Sequence, residues 1–406
     1  MKQSGIDWIG EIPDDWKTRQ IRYLFSLRDE RNYKPLSEVN LISVYTDKGV
    51  LQHSDIEQTT GNKAQNADGY KHVYKNDLVV NIILCWMGAL GISDFDGVTS
   101  PAYDVYAPKD LNTILPKYYH YLFRTPQFNG KCYTEGRGIM QMRWRTYSSE
   151  FKSIKVPLPP KATQQRIAEY LDSKCAQIDS IIEESKKSIE EYKAWKQSVI
   201  FEAVTGKNLN CKKKDSGIDT VGMIPVEWEL RRLRFLCDIM TGDQDTQDAN
   251  PDGKYNFYVR SPNVEKSDSY TFEGEGILMA GDGAGAGKVF HHAYGKYAIH
   301  QRVYCFYNFR DINTNFFYYY ISLLFSIDME KGSAQSTVPS VRMPMIKDFT
   351  FCLPPLLEQE SIVKMLDSKC AQIDSLIAEK ESLIADLIEY KKSLIFEVVT
   401  GKRSVI

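Results

Sequence analysis

The 406-residue sequence lacks the marks of most enzyme classes and of membrane proteins. Its eight cysteines are scattered and form no CxxC pair, which excludes zinc ribbons and thioredoxin-type dithiols and leaves reduced thiols. Six histidines form no HExxH, and His291 and His292 stand too close together for a helical metal pair. No GxSxG elbow occurs, nor an NPPY- or DPPW-type tetrapeptide of an amino-methyltransferase. The longest apolar run, LVVNIILCWMGALGI (78–92), contains Asn81 and two glycines and falls short of a membrane span. The opening MKQSGIDWIGEIP has no apolar segment of a signal peptide. A net charge of −2 argues against a histone-like coat, so any contact with nucleic acid must come from local patches. These absences lead us to expect a soluble, cytoplasmic chain with no active site, no metal and no cofactor of its own.

Two stretches invite an enzymatic reading and fail it. GDGAGAGK (281–288) resembles a phosphate loop, but Asp282 stands where Walker A needs glycine, and Val289 follows Lys288. Its approximate counterpart in the first half, CWMGALG (85–91), has no lysine. PDDWK (13–17) has the letters of a nuclease motif packed too tightly to put two carboxylates on adjacent strands.

What the sequence does contain is a repeat. LDSKCAQIDS occupies 171–180 and again 366–375. The match extends from PLPP (157–160) against CLPP (352–355) to FEAVTGK (201–207) against FEVVTGK (396–402). A second repeat opens each half, SGIDWIGEIPDDW (4–16) against SGIDTVGMIPVEW (216–228). Repeats at fixed spacing decide the architecture before any single motif does.

In the repeated block Leu171, Cys175, Ile178, Ile182, Ser185, Ile189, Tyr192, Lys196, Val199 and Ala203 alternate steps of four and three. Leu366, Cys370, Ile373, Ile377, Lys380, Ile384, Leu387, Lys391, Leu394 and Val398 do the same. That spacing is a coiled-coil seam. ProPro ahead of each run suits a helix start, and Gly206 and Gly401 suit the left-handed position after a helix. About 40 residues at about 1.5 Å each give a rod of roughly 60 Å. The blocks between carry Tyr, Phe, Val and Ile alternating with polar residues and turn glycines, as in DGYKHVYKNDLVV (68–80) and HQRVYCFY (300–307).

We therefore expect an α+β protein: two mixed α/β domains separated by two long helices that form an antiparallel coiled coil, with a pseudo-two-fold internal repeat. The expected boundaries are 1–158, 159–207, 208–353 and 354–406. Each helix packing only on its own domain is the alternative.

The ordered duplicate set, together with GALGIS…GVTSPAYDVY (88–106), resembles the specificity subunit of type I restriction–modification systems over essentially the whole chain. The resemblance implies two target recognition domains, each reading half of a bipartite site in double-stranded DNA, with the helices as spacer. It implies two docked modification subunits that bind S-adenosylmethionine and methylate adenine at N6. Two restriction subunits, dependent on ATP and Mg, can join. The chain departs from its own pattern at Thr220 for Trp8, and at AIHQRVY (298–304) where SPAY would fall.

Base edges require donors and phosphates require cations. Arg137, Gln141, Arg143 and Arg145 cluster ahead of the first long helix, and Gln335, Ser336 and Arg342 ahead of the second. Trp86 and Lys288 lie in the two glycine loops, and His300, Gln301 and Arg302 open the HQRVYCFY stretch. Replacing Arg143 with alanine is expected to cost one half-site about 1–3 kcal/mol if it makes a bidentate base contact. The paired basic stretches KTRQIRY (17–23) and ELRRLRF (229–235) serve either phosphate contact or partner docking. A scaffold that bridges two proteins without reading DNA is the competing function.

Overall fold

A computed structural model describes residues 1–55, 66–138, 144–332 and 339–405. The chain divides into two compact units, one of residues 1–185 with 382–406 and the other of residues 186–381. Each unit therefore takes one variable block and about half of each long helix.

The long helices run Lys161–Thr205 and Leu356–Val399. Every seam position expected from the heptad pattern is buried or half-buried, including Ser185, Lys196, Lys380 and Lys391. Gly206 and Gly401 follow with φ of 67° and 73°, the left-handed geometry that ends a helix without a Cβ penalty.

In the first unit, Leu171, Ile178 and Ile182 of the first helix share a core with Leu394 and Val398 of the second. Lys391 Nζ donates to Asp179 at 2.6 Å, while Thr163 and Ile167 lie beside Val398 and Gly401. The two segments are therefore antiparallel. In the second unit, Ala203 and Val204 share a core with Ile362, Val363 and Leu366, and Lys196 Nζ donates to Asp374 at 2.7 Å.

A buried glutamine fixes each long helix to its block. Gln164 Oε1 accepts from the Leu115 amide at 2.7 Å, and its Nε2 donates to Thr113 O and Pro159 O, both at 2.9 Å. Gln359 repeats the pattern with the Asn313 amide at 2.7 Å, Pro354 O at 2.8 Å and Asp311 O at 3.4 Å. Both side chains are fully buried. Each sits where a shorter helix begins, Pro116–Phe123 in one unit and Thr314–Gly332 in the other. One turn further on, Tyr121 donates to Asp172 and Tyr319 to Asp367, each at 2.7 Å.

Each unit also contains the same antiparallel four-stranded sheet. In the first its order is Phe25–Arg28, Tyr103–Pro108, Leu78–Asn81, Leu90–Ile92. In the second it is Asp238–Thr241, Val303–Tyr307, Gly276–Ala280, Phe290–Ala293. Two two-stranded sheets recur as well, Lys2–Gln3 with Glu11–Ile12 against Lys213–Asp215 with Met223–Pro225, and Lys17–Gln20 with Lys155–Leu158 against Glu229–Arg232 with Thr350–Leu353. Beyond these the blocks diverge. The first unit adds two two-stranded sheets, whereas the second adds one four-stranded sheet with a parallel pair, Tyr255–Tyr258 beside Lys296–Ile299.

Candidate nucleic-acid interface

Two features common to the units place the loops. The Thr146 amide donates to Ile82 O at 3.0 Å, and the Val341 amide donates to Gly281 O at 2.7 Å. In each unit, then, the segment ahead of a long helix is pinned to the loop that leaves the shared sheet. The two segments differ in sequence, while the sheet that holds them has the same strand order in both units.

In the first unit, Arg137 and Arg145 form an antiparallel bridge and exchange both backbone hydrogen bonds, at 2.9 and 3.1 Å. Residues paired in this way present their side chains on one face, and like charges placed there repel. Glu150 meets Arg137 at 3.2 Å, and the Arg137 guanidinium lies over the Tyr147 ring. Among the described residues Arg145 has no ion pair. Such a pair of cations suits an anionic partner. Gln141 and Arg143 lie outside the described residues.

Trp86 is placed differently. Its indole N–H donates to Ile83 O at 2.9 Å and its ring packs on Tyr133, which stacks on Trp144. Its indole donor is thus engaged within the chain.

In the second unit the loop GDGAGAGK joins two antiparallel strands, Gly276–Ala280 and Phe290–Ala293. No helix follows it, so it lacks the aligned amides of a phosphate loop. Gln301 and Arg302 lie beside this loop. Gln301 Nε2 donates to Asp245 at 2.9 Å, its amide donates to Gln244 O at 2.7 Å, and the Gly281 amide donates to Arg302 O at 2.8 Å. His300 is buried next to them, 3.3 Å from Asp245. Burial holds its imidazole below the usual range, and the Arg260 charge adds to the effect. Asp245 in turn is held below its usual range, chiefly by the Thr246 amide.

Arg342 is exposed at the start of the short helix Met343–Asp348 and follows Val341, which is tied to the loop. Lys288 is set apart: it lines a hollow with Gln197, Ser198 and Phe201 of the first long helix and with Ser322 and Ser326. Gln335 and Ser336 lie outside the described residues. Arg260 and Asp282 were missed by sequence reasoning, and both join Arg302 here. The only signal in the sequence was Asp282 standing where a phosphate loop would need glycine.

The paired basic stretches lie on equivalent strands, Lys17–Gln20 beside Lys155–Leu158 and Glu229–Arg232 beside Thr350–Leu353. In the second unit Arg232 and Arg234 both pair with Asp348. Among the described residues, no group of three or more side chains suits a metal ion, and no helix is long and apolar enough to cross a membrane.

Comparison with known proteins agrees with this geometry. The family model for the type I restriction modification DNA specificity domain matches twice, over residues 13–191 and 225–384. The Escherichia coli type I restriction enzyme EcoDI specificity subunit is 31% identical over 164 residues, 40% of this chain and 36% of its own length. The chain thus spans about a third of that relative. A putative type I restriction enzyme MjaX specificity subunit of Methanocaldococcus jannaschii is 23% identical, covering 98% of this chain and 96% of its own. A chain from a structure on complex assembly and conformational transition of the type I R-M system superposes with TM-score 0.74 at 15% identity. That match covers 97% of this chain and 100% of the other, and at this identity it speaks for the fold alone.

Proposed function

The chain belongs to the type I restriction modification DNA specificity family, and we propose that it is the non-catalytic sequence reader of a methylating complex. Each unit reads one half of a bipartite site in double-stranded DNA. The long helices set the separation of the halves and dock two adenine-N6 methyltransferase subunits, which bring S-adenosylmethionine. Two restriction subunits, using ATP and Mg, complete a cleaving form. The candidate readers are Arg137, Gln141, Arg143 and Arg145 in the first unit, and Gln301, Arg302, Gln335, Ser336 and Arg342 in the second. Lys288 serves a phosphate at most, and Trp86 shapes its loop.

One observation carries the reading: two unlike loop clusters are tethered by the same backbone bond to the same sheet, Thr146 to Ile82 and Val341 to Gly281. A fixed frame with divergent loops is what two different half-sites at one separation require, and arginines at those loops supply donors for base edges and phosphates. Co-expression with a partner methyltransferase followed by adenine-methylation mapping tests it. The expected result is a single gapped motif that disappears when this chain is deleted. Partner binding without any change in methylation would instead support a protein scaffold.

A further inference from the structure

Asp282 is the second residue of the glycine loop, and two arginines converge on it. Its Oδ1 accepts from an Arg260 terminal nitrogen at 3.0 Å, and its Oδ2 lies 3.8 Å from Arg302 Nε. The carboxylate side chain is 25% exposed, against 43% for Arg260 and 65% for Arg302, so it backs both guanidinium groups from the protein side.

The backbone fixes all three. The Gly281 amide donates to Arg302 O at 2.8 Å, the Gly283 amide donates to Pro339 O at 3.1 Å, and Asp282 bridges to Ser340. Gly285 approaches Arg260 O so closely that a Cβ there would come within 2.5 Å of it. The glycines thus let the loop lie against the Arg260 backbone, where any side chain would push the two apart.

Arg260 spends one N–H on the carboxylate and Arg302 faces it across 3.8 Å without a hydrogen bond, so each keeps a two-donor edge. Among the described residues those remaining donors make no other hydrogen bond. A two-donor planar edge matches the O6 and N7 acceptors that guanine shows in the major groove. A carboxylate that holds the side chain in place removes much of the rotamer freedom otherwise lost on binding.

We propose that Arg260 and Arg302 each read the edge of a guanine in the half-site recognised by the second unit, with Asp282 as their shared positioning residue. This rests on the DNA-reading function proposed above and adds the base and the side chains. It applies to one half-site only. When the two units are aligned on the register of their shared sheet, Ile83 and Ala102 of the first unit take the places of Asp282 and Arg302.

The test uses the full chain in complex with its methyltransferase and its gapped target duplex. Each G·C pair in turn is replaced by A·T, or its guanine by 7-deazaguanine, and binding is compared. With wild-type protein, removing N7 from the two guanines concerned should weaken binding roughly tenfold each. Arg260→Lys and Arg302→Lys keep the charge but not the fork, so each should lose discrimination at one pair. Asp282→Asn should weaken it at both. All three effects should fall in the same half-site and leave discrimination in the other intact.

Wild-type binding indifferent to every N7 in that half-site, or lysine variants with unchanged discrimination, would overturn the proposal. The 7-deazaguanine series needs no variant, so it decides the matter even if a substitution disturbs folding. A wild-type complex that methylates no bipartite motif would sink the proposed function itself, and is seen before any of these comparisons.

Discussion

Replacing Gln164 with alanine should loosen the first unit at a predictable place. The buried amide satisfies the Leu115 N–H and the carbonyls of Thr113 and Pro159 at the same time. Removing it leaves a buried donor without a partner, at about 1–3 kcal/mol, and takes one partner from each of two carbonyls. The void left by the side chain adds a cavity term. A loss of roughly 2–4 kcal/mol follows. Gln164→Glu keeps the acceptor for Leu115 but turns a donor toward two carbonyls into a third acceptor, so it should cost as much or more. The chain has two units, so one global midpoint is a poor measure. Amide hydrogen exchange read at the start of Pro116–Phe123 is better, because it reports local opening. A loss of this size speeds exchange there by roughly thirtyfold to several hundredfold, with protection of Thr314–Gly332 in the second unit unchanged. Protection at Leu115 within twofold of wild type would refute the reasoning.

Gly206→Ala and Gly401→Ala should each destabilise one unit by about 2–4 kcal/mol, from left-handed strain plus a clash of the new Cβ with Pro225 or Pro13. Limited proteolysis should show the second unit opening for the first variant and the first unit for the second. His120, withdrawn from solvent and facing Arg124, has its pKa lowered to about 4. Below about pH 6.5 the unfolded chain takes up a proton that the folded unit refuses, so stability falls from there to about pH 4, by about 3 kcal/mol in all. His120→Gln should flatten that part of a urea-denaturation pH profile. Deleting one heptad from both long helices shortens each by about 10 Å, roughly three base pairs of DNA. The methylated motif should keep both half-sites and change its gap.

The repeats, the heptad seam and the mixed blocks were legible in the sequence because they rest on periodicity and turn chemistry, which are local. What brings distant segments together was not. The Gly401 end of the second helix lies on Pro13 and Trp16, as the Gly206 end of the first lies on Pro225 and Trp228. A sign of this was present: TGK at 205–207 runs within nine residues into SGID at 216. The reading residues were legible only as regions. Arg137 and Arg145 face each other through a strand register that no spacing rule gives. Asp282 drew notice only as a defect in a phosphate loop, since a carboxylate's value to two arginines depends on where they come from.

The residues of the repeated decapeptide divide between packing and surface. Leu171 and Leu366 are fully buried, and Cys175 and Cys370 nearly so, which explains the apolar positions by packing. Asp172 and Asp367 each accept from a tyrosine of their own block, and Asp179 and Asp374 each meet a lysine of the other helix. Those lysine pairs are half-exposed, with side-chain accessibilities of 28% and 55% in one and 30% and 55% in the other. Pairs so exposed contribute about 1 kcal/mol or less. Stability alone therefore does not hold Asp179 and Asp374 identical, and it holds the exposed Gln177 and Gln372 still less. The blocks beside them have had as long to diverge and have done so, to the point that Ile83 and Ala102 stand opposite Asp282 and Arg302. A surface kept the same twice beside loops that differ suits one kind of partner meeting both units. The two methyltransferase subunits proposed above would impose that requirement, whereas the two unlike DNA half-sites proposed for the loops would impose the opposite one there.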